Sequence, residues 1–141
     1  MNRYRFLEHT ADAKFEAFGA TLEEAFANAA LAVASMMWDW NRIARRMRIP
    51  VDVSGPDRER LLLDVLEEVL YLLDTRGFLL AGMESVLIRE TEEGWRLSAD
   101  FLGDISRPGY EITGEVKAIT LNEMHIKSGP GGASVQVVVD L

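Results

Sequence analysis

Thr21-Leu22-Glu23-Glu24-Ala25-Phe26-Ala27-Asn28-Ala29-Ala30-Leu31-Ala32-Val33 is the stretch that decides the fold. Thr21 and Glu24 stand at the spacing of a capping box, so a helix is expected to start with Thr21 as its N-cap. Leu22, Phe26, Ala29, Ala30, Val33 and Met36 or Met37 then recur at helical spacing. Five alanines between Ala25 and Ala32 predict a helix that packs closely against a sheet. Trp38-Asp39-Trp40-Asn41 ends it. Upstream, Arg3 to Phe6 and Lys14 to Phe18 alternate in the manner of strands, and Gly19 closes the second.

Downstream, Arg42, Arg45, Arg46 and Arg48 form a basic cluster. It reads as a solvated connector, or as a contact for phosphates or an acidic partner. Ile49 to Val53 is expected to be an edge or irregular strand because it contains Pro50. Asp57 is the expected N-cap of a second helix, whose stripe of Leu61, Leu62, Val65, Leu66, Val69, Leu72 and Leu73 reaches Arg76. Gly77 follows as a glycine stop. Ser85–Glu90 and Trp95–Phe101 read as a hairpin around Thr91-Glu92-Glu93-Gly94. Gly114–Thr120, Glu123–Lys127 and Ala133–Val139 read as further strands, the last preceded by a Ser128–Gly132 turn. The pattern predicts an α+β fold. It is a two-layer sandwich, a mixed β-sheet of about six or seven strands with one face covered by two main helices.

The 141 residues are one domain's worth of chain, and 1–141 is read as a single domain. The formal net charge of −8 argues against direct binding of nucleic acid. With no cysteine, a disulfide framework, a zinc–thiolate site and a cysteine nucleophile are excluded. No apolar run reaches the ~18 residues that span a bilayer, and Met1 to Phe6 lacks a signal-peptide core, so a cytoplasmic protein is expected. The glycine run Ser128–Gly132 is no phosphate loop, because it lacks Gly-Lys-Ser/Thr and a strand follows it. No nucleophile elbow or sheltered carboxylate pair is present, so no catalytic residue is assigned and a metal-dependent hydrolase is disfavoured.

His9-Thr10-Ala11-Asp12 lies at a chain reversal between two strands. From spacing alone, Asp12 reads as an Asx-turn residue and His9 as a packed core histidine. A second reading starts from Val137-Val138-Val139-Asp140-Leu141, a β-branched strand that runs to the last residue. Asp140, the Leu141 carboxylate and a main-chain carbonyl would gather oxygens suited to a hard cation such as Ca²⁺ or Mg²⁺. Nothing in the spacing brings Asp12 to Asp140. Lys117 is one of three lysines beside twelve arginines, and on its own it reads as a solvated strand residue.

His9-Thr10-Ala11-Asp12, then Gly19 and Thr21-Leu22-Glu23-Glu24-Ala25-Phe26, resemble the opening of the archease family. Gly114-Glu115-Val116-Lys117-Ala118-Ile119-Thr120 and the closing Val-Val-Asp-Leu are similar to that family too, and the likeness spans the whole chain. The resemblance implies a non-enzymatic accessory protein of the RtcB-type RNA ligase in tRNA splicing. Such a protein promotes ligase guanylylation and multiple turnover, and meets tRNA only through the ligase. It also implies a cation, usually calcium, at Asp12, Asp140 and the main chain of Leu141, with Lys117 nearby. The family commonly continues with Tyr-His where this chain has Leu121-Asn122, so no role is carried over for that imidazole. The rival reading is a general chaperone or modulator of RNA-modifying enzymes, such as a tRNA methyltransferase.

Overall fold

The computed structural model describes residues 2–8 and 12–141. Seven strands and two helices follow in the order β1 (Tyr4–Leu7), β2 (Ala13–Gly19), α1 (Leu22–Ser35), β3 (Met47–Gly55), α2 (Arg58–Arg76), β4 (Phe78–Thr91), β5 (Gly94–Ile105), β6 (Ala118–Gly129) and β7 (Gly132–Asp140). A 3₁₀ turn, Trp40–Arg42, lies between α1 and β3. The α+β class and the two helices are as the sequence predicts. The strands form two sheets rather than one mixed sheet: β1-β2-β7-β6 and β3-β5-β4, with every pair antiparallel.

The alanines of α1 account for the division. The helix packs on β2 and β7 of one sheet and on β4 of the other. Ala25, Phe26, Ala29, Ala30, Ala32, Val33 and Ala34 are all fully buried. A helix apolar on every side is a buried one, and methyl side chains let both sheets approach it closely. Hence α1 lies between two sheets instead of covering one. Asn28 is buried among these residues; its Nδ2 donates to the Phe18 carbonyl (2.7 Å) and its Oδ1 accepts from Arg3 (3.2 Å).

The caps form where the sequence places them. Thr21 Oγ1 accepts the Glu24 N–H (3.2 Å), while the Glu24 carboxylate accepts the N–H of Ala20 rather than that of Thr21. Asp57 accepts the Arg60 N–H at 2.8 Å, and α2 ends at Gly77 with φ +62°, a left-handed conformation that glycine adopts without a Cβ penalty. Pro50 does sit on an edge strand, β3.

Two strand boundaries differ from expectation. β4 begins at Phe78, because Phe78-Leu79-Leu80-Ala81 is buried on both faces and has no alternation to read. One strand, β6, takes in both Glu123–Lys127 and the end of Gly114–Thr120; residues 114–117 lie outside any strand. Between the Thr120–Val138 and His125–Gln136 pairs, β6 advances five residues and β7 two. The surplus bulges outward, with Glu123 at φ +52°. Buried side chains from both sheets and both helices form one contiguous cluster.

The Arg42–Arg48 run is more than a solvated connector. Arg48 bridges Glu84 and Asp100 (2.7 Å each), Arg46 reaches Asp104 (3.6 Å), and the Arg45 guanidinium lies against Gly82. No helix is long and apolar enough to cross a membrane among the described residues.

Candidate functional site at one end of the four-stranded sheet

Phe15 pairs with Val137 and Ala13 with Val139. The register of β2 and β7 therefore puts Asp12 one residue beyond the last pair, at the position facing Asp140. On the other side of β7, Ala118 pairs with Asp140, and the Lys117 N–H donates to the Asp140 carbonyl at 2.8 Å. Asp12, Lys117, Asp140 and Leu141 thus share one end of the sheet, although they come from opposite ends of the sequence. Asp12 is half-buried, whereas Lys117, Asp140 and Leu141 are exposed. His9, Thr10 and Ala11 lie outside the described residues, so the reading of His9 as a core histidine lies outside them as well.

Among the described residues no group of three or more His, Cys, Asp or Glu could hold a metal ion. Asp12, Asp140 and the Leu141 main chain carry only oxygen donors. That chemistry fits a hard cation, but falls short of the ~6–8 oxygens that calcium takes, so most of the shell would come from water or a partner.

The spacing gave no sign of two neighbours. Lys14, next but one to Asp12, pairs with Glu123 at 3.3 Å. Glu123 belongs to the β6 bulge, and its carbonyl accepts from the Gln136 amide at 2.8 Å. The bulge is thereby tied over β7 and β2, and it carries Leu121-Asn122, the departure from the family pattern. Leu121 is exposed, while the Asn122 N–H donates to Thr120 Oγ1 (3.3 Å).

Asp104, a lone acid in the apolar run Phe101-Leu102-Gly103-Asp104-Ile105, is a further polar centre with a signal readable in the sequence. Its carboxylate is buried and accepts from the Tyr110 hydroxyl (2.7 Å), the Ile105 N–H (2.9 Å) and Arg107 (2.9 Å). The Tyr110 hydrogen bond, with help from the Ile105 N–H, Arg107 and Arg46, holds the carboxyl below its ordinary value of 3.8 against the opposing effect of burial. A carboxyl depressed in the folded state stabilises fully above the unfolded value, and that stability is lost as pH falls through the folded value. The chain should therefore lose urea resistance below about pH 4. Asp104→Asn should lower the urea midpoint at pH 7 and flatten that acid limb; an unchanged acid limb would show that Asp104 contributes nothing to it.

The sequence model of the Archease protein family matches residues 4–141. The chain is 37% identical to the protein archease of Methanosarcina mazei over 99% of this chain and 96% of the relative. It is 41% identical to that of Thermococcus gammatolerans over the full length of both. The solution structure of Methanobacterium thermoautotrophicum protein 1598 is similar at a TM-score of 0.84 and 35% identity, covering 100% of each chain. The crystal structure of a Thermotoga maritima archease, described as a possible chaperone, shares the fold at a TM-score of 0.62 and 17% identity, over 96% of this chain and 94% of that one. Matched from β1 to the final residue, the chain belongs to the archease family.

Proposed function

We propose that this protein is a non-enzymatic, cytoplasmic activator of an RtcB-type RNA ligase in tRNA splicing. It promotes guanylylation of the ligase and multiple turnover, and a hard divalent cation such as Ca²⁺ is held by Asp12, Asp140 and the main chain of Leu141. The observation that supports this reading most is the β2–β7 register, which faces Asp12 toward Asp140, with Lys117 fixed to the Asp140 carbonyl.

Strand β7, flanked by β2 and β6, holds Asp140 at the exposed end of a rigid sheet. Asp12 directly precedes β2, and the Lys117 N–H is bonded to the Asp140 carbonyl, so a lysine stands next to this end of the sheet. A bound divalent cation would supply charge that orients phosphate oxygens. Its unfilled coordination positions would be open to a partner's groups. The net charge of −8 favours docking on a basic protein surface, such as the RNA-binding face of a ligase, by charge complementarity. Contact with tRNA is then indirect.

The test is the rate of ligase guanylylation with GTP, with and without this protein, in calcium and in chelator. Faster guanylylation and many turnovers per ligase are expected, with the effect reduced by chelation. An unchanged rate and turnover number, together with reduced aggregation of a tRNA methyltransferase, would favour the chaperone reading instead.

A further inference from the structure

The 3₁₀ turn at Trp40–Arg42 and the segment 109–113 face each other across a cleft of about 510 Å³, within the size range of small-molecule sites. Tyr4, Trp40 and Tyr110, all partly exposed, line its walls, with the fully buried Trp38 behind them. The polar tip of each ring is already engaged. Trp40 Nε1 donates to the Tyr4 hydroxyl (3.1 Å) and Trp38 Nε1 to the Leu80 carbonyl (2.9 Å). The Tyr110 hydroxyl donates to Asp104 (2.7 Å) and accepts from the Ala44 N–H (3.2 Å). The Thr113 N–H donates to the Met37 carbonyl at 2.8 Å, which fixes the second wall to the end of α1. The rings are therefore held in place, and Tyr4, Trp40 and Tyr110 offer an occupant π surface rather than polar tips, while Trp38 supports them from the core.

Arg42 stands at the same cleft. Arg46 and Arg48 are paired with Asp104, Glu84 and Asp100, and Arg45, which lies against Gly82, does not line this cleft. The Arg42 side chain is 86% exposed and, among the described residues, its one ion pair is with Asp39, at 3.7 Å. A cation with spare donors thus borders a pre-set aromatic wall, with Asn41 and Glu111 beside it to address the edge of a ring. A sugar phosphate would leave the rings unused, and an apolar ligand would leave Arg42 unused. A quaternary ammonium would meet Arg42, and also Arg3, whose guanidinium already lies 5.2 Å from the centre of the Trp40 ring.

We propose that this cleft binds one nucleotide, its base against the aromatic wall and its phosphate at Arg42. The net charge of −8 opposes a long polyanion, but a single nucleotide meets only the local cation. The same chemistry is presented by a free mononucleotide and by an unpaired nucleotide at the end of an RNA strand. The cleft shares no residue with the Asp12–Asp140 end, so the inference stands or falls independently of the ligase reading.

The experiment is nitrogen-15 NMR of the full chain, in which the indole N–H of Trp40 reports on the cleft and that of Trp95, on the far hairpin, is an internal control. AMP and GMP should shift the Trp40 signal saturably and leave Trp95 in place, while ribose 5-phosphate should leave both unmoved. Arg42→Ala, at an exposed position, should fold normally and weaken AMP binding about tenfold, the size of a lost charge-assisted hydrogen bond. It should leave adenosine binding unchanged. Trp40→Leu should remove binding of both, followed through the Tyr110 amide. A single-stranded RNA oligonucleotide that binds more tightly than AMP, with steep salt dependence, identifies the strand end as the source; equal or weaker binding identifies the free nucleotide. No saturable shift with any nucleotide, or equal AMP affinity in Arg42→Ala, overturns the proposal.

Discussion

Asp12→Ala and Asp140→Ala are each expected to abolish stimulation of ligase guanylylation while the variant chains unfold at nearly the parental temperature. Both positions are polar and neither belongs to the buried apolar cluster, so removing either carboxylate opens no cavity. The functional loss should be complete. Two side-chain carboxylates are the charged share of the donor set, and one aspartate with a main-chain oxygen is a poor cage for a divalent ion. Calcium should raise the melting temperature of the parent chain and of neither variant, because a ligand stabilises only the state that binds it. An Asp12→Ala chain that still activates the ligase fully would leave Asp12 as no more than the Asx-turn residue that spacing alone suggests.

The largest loss of stability should come from Gly103→Ala, a single methyl group. Gly103 lies on β5 opposite Leu80, beside the shift where Ala81 is the additional residue of β4. A Cβ there would meet the Leu79 carbonyl oxygen and the Phe78 ring. Neither can retreat. The carbonyl belongs to a strand of the β4–β5 hairpin, and Phe78 is fully buried. Overpacking of this kind costs about 3 kcal/mol or more, a large part of the ~5–15 kcal/mol that holds an ordinary domain folded. Gly129→Ala is the control: no neighbour lies within 4 Å of its added methyl, and its unfolding midpoint should stay within about 0.5 kcal/mol of the parent. Equal midpoints for the two variants would show that β4 can shift to accept the methyl.

Elements with local signals were legible. Thr21, Asp57 and Gly77 mark helix ends through contacts within four residues, so both helices fall where spacing puts them. The division into two sheets was not legible, because it depends on α1 being enclosed on every side. The alanines of α1 announce close packing without saying how many surfaces they meet. Phe78–Ala81 gives no strand signal for a related reason: a strand covered on both faces loses the alternation that identifies strands. At the candidate site, Asp12 and Asp140 are individually unremarkable. Their approach is a matter of strand register between the two ends of the sequence, which periodicity does not report. The family resemblance suggested it, and the Ala13–Val139 pair gives it a structural basis. Nothing in the spacing marked Lys14 and Glu123, since a surplus of residues in β6 becomes visible only against β7.

The order of strands in the larger sheet also bears on how the protein is made. β7 lies between β2 and β6, so residues 13–19 find their main neighbour in residues 133–139, more than a hundred positions later. Pairings separated by more than a hundred residues are entropically slow to close. During synthesis, the β-rich side that should enclose α1 is missing its middle, and the apolar surface of that helix waits for it. The face of α1 toward β7 is therefore the part of the nascent chain most in need of protection, and the end of the sheet that gathers Asp12 and Asp140 is assembled only once β7 has been made.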